Sequence, residues 1–158
     1  MKKFAIVFLL LIVAIAAFGF YRTLTPPGDL WTVTHQFGGC PSRPSCVSSV
    51  AKDETHKIEP LRYDGSADQA QTMLSLLIKA MPGARIEHED AHYIHAVFQT
   101  PLMHYHDDVE LLVSPDGVID VRSSSRFGYG DHDVNRKRVE EIRARFEAAK
   151  ARPAASPN

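Results

Sequence analysis

The sequence lacks the features that would place it in the commonest functional classes. It has only two cysteines and one tryptophan in 158 residues, and its formal net charge is -1. Because its basic residues form no long run, we expect no nucleic-acid partner. It also contains no G-x-S-x-G motif, the sequence signature of hydrolases whose serine nucleophile lies on a strand-to-helix turn. The function must therefore be sought in local clusters of residues.

The one long apolar run lies at the N-terminus. Lys2 and Lys3 precede an apolar stretch over 4–20, and Arg22 follows it closely. As a helix this stretch would be about 26 Å long, at the short end of what crosses a bilayer. The paired lysines should stay in the cytoplasm, which predicts a single-pass inner-membrane protein with a periplasmic domain. The alternative is a cleaved signal peptide, with Ala14-Ile15-Ala16 as its cleavage region and a secreted or periplasmic product.

The composition divides the chain into four parts. Residues 1–22 form the anchor or signal, 23–56 an irregular linker, 57–149 the folded domain and 150–158 a disordered tail. Prolines and glycines interrupt any regular element in the linker. We expect Trp31 and Phe37 to attach it to the domain.

Both cysteines, Cys40 and Cys46, lie in this linker. A position outside the cytoplasm predicts that they form a disulfide. Free thiols and a metal-binding pair remain as alternatives, although a metal would need further ligands and a different spacing.

Residues 57–149 have the hydrophobic periods of an α+β domain. The predicted order is β-α-β-β-β-β-α, which implies an antiparallel sheet with both helices on one face. One helix begins near Ser66 or Asp68, and the other begins after Asp131 or Asp133. Residues 114–117 predict a tight hairpin turn. The predicted strands cover 57–62, 84–89, 92–100, 106–113 and 118–124.

The alternation of side chains along these strands predicts one charged face. Apolar positions should meet the helices, which leaves a polar set on the opposite, open face. Acids and bases on neighbouring strands should then form cross-strand pairs. The members of this set are His95, Asp108, Glu110, Arg122 and Arg126.

Four segments of the chain resemble a known family. They are CPSRPSCVSS, IEPLRYDG, DDVELLV and VIDVRSSSRFGYGDHDVNRKRVEEIR, and together they extend from about Cys40 to Phe146. This pattern resembles the domain of unknown function 1499 (DUF1499). The resemblance implies a small domain that is often membrane-tethered or secreted, and it implies no reaction, substrate or cofactor. His104 and His106 depart from the pattern, which has apolar or small residues there.

The first functional hypothesis is a binding or scaffolding module without a cofactor. Arginine binds carboxylate or phosphate through two parallel hydrogen bonds, so the polar face could hold a small anion or an envelope protein. An ion-pair network that only braces the fold is the competing interpretation, and Asn135 could be a clamp between loop and helix. The candidate ligand-binding residues are His95, Asp108, Glu110, Arg122, Ser124, Arg126, Asn135 and Arg136.

The second hypothesis is a metal-dependent hydrolase. His104, His106 and Asp108 alternate along one strand, as the first ligands of some metallo-hydrolases do. However, Val109 stands where a further histidine would be required. The sequence therefore leans against an enzyme, and a purely structural role in the envelope is the third hypothesis.

Overall fold

A computed structural model describes residues 2–151 of the chain. Its first element is helix α1, Lys2–Leu24, whose 23 residues extend about 34 Å. This helix is long and apolar enough to cross a membrane, and a signal sequence would meet the same criteria. The predicted disordered tail begins at 150, but Lys150 is the last residue of a helix, and the part of the tail from 152 onward lies outside the described residues.

Six strands of the described residues form one antiparallel sheet. Its order is β1-β6-β5-β4-β3, and β2 pairs with the same edge of β6 as β1 does. The strands are β1 Cys46–Ser48, β2 Leu61–Arg62, β3 Ala84–Glu89, β4 Tyr93–Gln99, β5 His106–Val113 and β6 Val118–Ser125. The remaining helices are α2 Trp31–Thr34, α3 Ala67–Lys79 and α4 Val134–Lys150.

The predicted α+β architecture is confirmed. The strands β3 to β6 follow the predicted order, and the hairpin turn between β5 and β6 places Gly117 at φ +85°, a value that glycine adopts readily. The short strand β1 was not predicted, because three residues within a proline-rich segment carry no readable period. The sheet therefore begins inside the segment that the sequence assigns to the linker.

Helices α3 and α4 pack on one face of the sheet and form the core with it. Leu74 and Ile78 of α3 are fully buried there, as are Val139 and Ile142 of α4. Each such side chain contributes about 1.5–3 kcal/mol by leaving water. The strand residues that meet them are Ile94, Ala96, Val109, Leu111, Ile119 and Val121.

The other face of the sheet is covered, which corrects the prediction that it is open. Residues 25–45, here called the strap, run across it. Leu30 of the strap is only 3% exposed, and the Trp31 ring packs 6.3 Å from that of Tyr93. The Ser48 hydroxyl donates a hydrogen bond to the Gly38 carbonyl at 3.0 Å. Alternation along strands shows which face is polar, but it cannot show that a distant segment folds over that face.

The predicted disulfide is confirmed, and it holds the end of the strap. Cys40 and Cys46 are bonded, with their Cα atoms 5.6 Å apart. Because Cys46 belongs to β1, the bond fixes the strap to the edge of the sheet.

Removing this disulfide should loosen the strap. We expect the Cys40→Ser/Cys46→Ser variant to lose about 2 kcal/mol of unfolding free energy, since the bond closes a short loop. Urea denaturation of the full chain in detergent, followed by Trp31 fluorescence, measures this loss. A reducing agent should weaken the wild type and leave the variant unchanged. Equal stability of the two proteins would show that the strap does not depend on the bond.

Candidate functional site

The polar face of the sheet is a layer of paired charges beneath the strap. The cross-strand register places His95 opposite Glu110, and Glu110 opposite Arg122. Asp108 lies opposite Ser124 in the same way. All of these residues are 7% exposed or less, so their charges must be neutralised within the protein.

Glu110 and Arg122 form the centre of this layer. Arg122 Nη1 donates to Glu110 Oε2 at 2.9 Å, and its Nη2 donates to Asp29 of the strap at 2.6 Å. Glu110 Oε1 accepts hydrogen bonds from the Tyr93 hydroxyl at 2.7 Å and from the Trp31 backbone N–H at 2.9 Å. Burial and the adjacent Glu110 charge raise the pKa of Tyr93 well above its ordinary value, so its hydroxyl remains a donor. Glu110 thus joins the sheet to the strap.

Asp108 forms a second cluster beside the first. Arg126 binds it through two hydrogen bonds of 2.8 Å, from Nε to Oδ2 and from Nη2 to Oδ1. The His95 Nε2 atom lies 2.7 Å from Oδ1. Burial alone would raise the pKa of the Asp108 carboxyl, but the bonds from Arg126 and His95 outweigh it and hold this pKa below its ordinary value. Arg126 Nη1 also donates to the Thr23 carbonyl of α1 at 3.2 Å.

The lowered pKa of Asp108 predicts a dependence of stability on pH. A carboxyl whose pKa is lower in the folded state stabilises the protein fully above its unfolded pKa, and this contribution is lost as the pH falls. We therefore expect the stability difference between wild type and Asp108→Asn to shrink below about pH 4. Urea denaturation across pH 2–7 measures it, with Asp116→Asn in the exposed hairpin turn as the control. A difference independent of pH would contradict the account.

A cavity of about 300 Å³ opens where the polar face, the strap and the end of α1 meet. Four arginines line it, and Asp29 is the one acid among its described lining residues. The lining consists of Arg22, Thr25, Pro26, Pro27, Gly28, Asp29, Pro41, Arg43, Arg122, Ser124, Ser125 and Arg126. We refer to it as the arginine cavity.

The cationic groups of the arginine cavity are only partly neutralised. Arg43 donates to two backbone carbonyls, those of Ser125 at 2.7 Å and Gly128 at 3.3 Å, so these contacts position its charge without cancelling it. Arg122 is 3% exposed, and its Nε atom has no hydrogen-bond partner among residues 2–151. Because Arg43 contacts only carbonyl groups and Arg22 also lines the cavity, the cavity is suited to an anion with several oxygen acceptors.

Six of the eight residues predicted for the ligand site lie together on the polar face or at its end. The other two, Asn135 and Arg136, lie apart from them at the start of α4. Asn135 Nδ2 donates to the Ser45 carbonyl at 3.0 Å and to Asp131 at 2.7 Å, in the clamp that the sequence suggested. Arg136 donates to the carbonyls of Lys57 and Thr55 at the protein surface. The six grouped residues are His95, Asp108, Glu110, Arg122, Ser124 and Arg126.

The residues predicted for a metal site have other partners. The two Asp108 oxygens accept hydrogen bonds from Arg126, and His106 Nδ1 lies 2.8 Å from the Thr23 carbonyl. His104 precedes β5, with a φ of +53°. Within residues 2–151, no group of three or more histidine, cysteine or acidic side chains is arranged to hold a metal ion.

Sequence reasoning missed the contributions of the strap and of α1 to this site. Asp29 and Arg43 lie in a proline-rich segment without a hydrophobic period, so no pattern assigns them to a face. Arg22 was recognised only as the residue that ends the apolar run. Trp31 was expected to attach the linker, and it does so by packing on Tyr93.

Comparison with known proteins gives one family. The family model described as "Protein of unknown function (DUF1499)" matches residues 36–146, which include all six strands of the sheet, α3 and most of α4. No curated protein matches the chain. The matched range includes Arg43, Arg122 and Arg126 of the arginine cavity, whereas Arg22 and Asp29 precede it.

Proposed function

Because the chain belongs to the DUF1499 family, whose description assigns no reaction, we propose a function from the geometry of this chain itself. The proposal is a membrane-tethered, extracytoplasmic binding domain that takes a small oxyanion of the phosphate or carboxylate class. The arginine cavity would be its site, and no chemical step is required of the protein.

The observation that carries this proposal is the convergence of four arginines on one small cavity. Guanidinium groups bind oxyanions through paired hydrogen bonds, and a partly buried site strengthens these bonds. The ion-pair layer beneath the strap fixes Arg122 and Arg126 before any ligand arrives. Such preorganisation lowers the entropic cost of binding. A volume of about 300 Å³ suits an anion of a few heavy atoms better than a large substrate.

The location in the proposal is supported by two features at the N-terminal side. Lys2 and Lys3 are the first residues of α1, ahead of its apolar run, and basic residues favour the cytoplasmic side of a membrane helix. The Cys40–Cys46 disulfide is typical of oxidising compartments outside the cytoplasm. The interpretation as an uncleaved anchor follows from the apolar run continuing through Phe18 and Phe20, where a cleavage region would turn polar.

Calorimetric titration of the full chain with inorganic phosphate, in a zwitterionic detergent, tests the proposal. We expect saturable binding, and a dissociation constant about 10-fold or more higher for Arg43→Ala, because a hydrogen bond to a charged group contributes about 1.5–3 kcal/mol. Arg43→Lys should lose less affinity for phosphate, since lysine keeps the positive charge but lacks the paired N–H donors of the guanidinium group. Arg145→Ala is the matched control, because Arg145 pairs with Glu141 on the exposed surface of α4.

The same titration separates a free anion from a lipid headgroup. In nanodiscs, a headgroup ligand predicts that phosphatidylglycerol weakens phosphate binding relative to phosphatidylcholine alone. A free anion predicts similar affinity in both lipids once surface repulsion is screened with salt. The proposal is wrong if phosphate does not saturate a site, or if Arg145→Ala weakens binding as much as Arg43→Ala does.

A further inference from the structure

Large apolar side chains are exposed at one end of the sheet. They lie on two loops, one between β4 and β5 and the other between β6 and α4. Leu102 and Tyr129 are 86% and 80% exposed, and Met103 and Phe127 are also open to the surface. The loops are neighbours, since the rings of Tyr105 and Phe127 are 5.7 Å apart. We call Leu102, Met103, Phe127 and Tyr129 the end patch.

The end patch lies beside the apolar part of α1. Gly19 and Thr23, one helical turn apart, are the two buried residues of α1 among those whose exposure is described. The Phe127 ring packs against Gly19 so closely that an added Cβ would lie 3.2 Å from the ring. Gly19 belongs to the apolar run, about 4.5 Å before Arg22 along the helix axis. Along the axis of α1, the Phe127 ring therefore lies at the same height as residues of the apolar run, which need an apolar environment.

Hydrogen bonds fix the orientation of this end of the domain against α1. The Thr23 carbonyl lies 2.8 Å from His106 Nδ1 and accepts from Arg126 Nη1 at 3.2 Å. Both residues lie at the end of the sheet from which the two loops emerge. The end patch therefore stays at one level relative to α1.

We propose that the end patch inserts into the surface of the lipid bilayer that holds α1. This inference rests on the membrane anchoring in the proposed function, and it does not depend on anion binding. Exposed apolar patches on folded domains mark interaction surfaces, and aromatic rings such as Tyr129 favour the boundary between lipid and water. The occupant is lipid because the patch continues a surface, that of α1, which already needs lipid around it.

The insertion has a direct consequence for the arginine cavity. Arg126 contacts α1 through Thr23 and also lines the cavity, and Arg22 lines it from the last turns of α1. With the end patch in the bilayer, the cavity would lie close to the headgroups.

Depth measurement with single labelled cysteines tests the insertion. Both native cysteines are in the disulfide, so an introduced cysteine can be labelled selectively. We expect an environment-sensitive fluorophore on Leu102→Cys or Tyr129→Cys to show a blue shift, and a loss of fluorescence with nitroxide-bearing lipids. The full chain is used, in phosphatidylcholine liposomes. The control is Asp116→Cys in the hairpin turn, about 26 Å away along the eight residues of β5.

Each outcome of this experiment decides the proposal. Quenching of the labels at 102 and 129 but not at 116 supports it. Equal quenching of the labels at all three positions contradicts it. A label at 102 or 129 that is shielded from water in native membranes but not in pure lipid also contradicts it, because that result indicates a protein partner. An intact-mass measurement on the same liposomes shows whether the protein still carries α1. Loss of α1 would mean that the membrane anchoring fails, whereas a protein that keeps α1 but shows no quenching at 102 and 129 has its end patch in water. Phosphate titration tests the cavity separately.

Discussion

The Arg122→Met variant is expected to lose about 3–5 kcal/mol of unfolding free energy, because it leaves a buried carboxylate without its cation. Glu110 is 1% exposed, and Arg122 supplies its charged partner at 2.9 Å. Methionine fills similar space but donates no hydrogen bond. Asp29 would lose its partner as well, which should free the strap from the sheet. Urea denaturation of the full chain in detergent, followed by Trp31 fluorescence, measures the loss.

Two comparisons separate this effect from a general loss of charge. Arg145→Ala removes one member of an exposed pair on α4, and it should change stability by under about 1 kcal/mol. The Arg122→Met/Glu110→Met double variant should lose less than the sum of the two single variants by about 1 kcal/mol or more, since it removes both charges. This comparison remains informative if Arg122→Met does not fold, because the double variant should then restore folding. Equal losses in Arg122→Met and Arg145→Ala would contradict the buried ion pair.

The Asn135→Ala variant is expected to lose about 3 kcal/mol, since several buried partners would lose a hydrogen bond at once. Asn135 is fully buried at the start of α4. Its amide Nδ2, with two N–H donors, lies within 3.0 Å of three acceptors, namely the Ser45 carbonyl, the Ser125 hydroxyl and Asp131. Its Oδ1 accepts from the Ser123 hydroxyl at 2.5 Å and from Arg138 at 2.8 Å. One side chain thus joins β6, the end of the strap and α4.

The matched control for Asn135 is the next residue on the same helix. Arg136→Ala removes two surface hydrogen bonds to backbone carbonyls, and it should cost under about 1 kcal/mol. Asn135→Ala should also speed hydrogen exchange of the backbone N–H groups at position 135 and at Lys137, at the start of α4. Equal unfolding free energies for Asn135→Ala and Arg136→Ala would contradict the claim that the Asn135 side chain holds β6, the strap and α4 together.

The fold was largely predictable because its main elements carry local signals. The strand β5 begins and ends where the alternation of residues 106–113 predicts it, and the turn at 114–117 follows from its proline and glycine. Strand β1 and the strap carry no such signal. Their positions depend on contacts between residues far apart in the chain, such as Asp29 with Arg122.

The site was predictable to the extent that strand alternation determines it. Asp108 and Glu110 share a face because residues two apart on a strand point the same way, and the pairing of β5 with β6 places Arg122 opposite Glu110. Nothing in that rule shows that the face is covered, or that Arg43 comes to its edge. For Asn135 the sequence left a clamp and a ligand role open, and its contact with the Ser45 carbonyl is that of a clamp. Arg136 was grouped with the other arginines as an anion-binding charge, but it lies at the start of α4 and donates to the carbonyls of Lys57 and Thr55.

The arginine cavity as an oxyanion site is tested most directly by nuclear magnetic resonance of the arginine Nε–H groups. The full chain, labelled with ¹⁵N in detergent micelles, would be titrated with inorganic phosphate. We predict that the Nε–H signals of Arg43 and Arg122 shift saturably, with one dissociation constant that agrees with calorimetry, while that of Arg145 stays in place. Signals of Arg43 and Arg122 that do not move, or that drift linearly together with Arg145, would contradict the account.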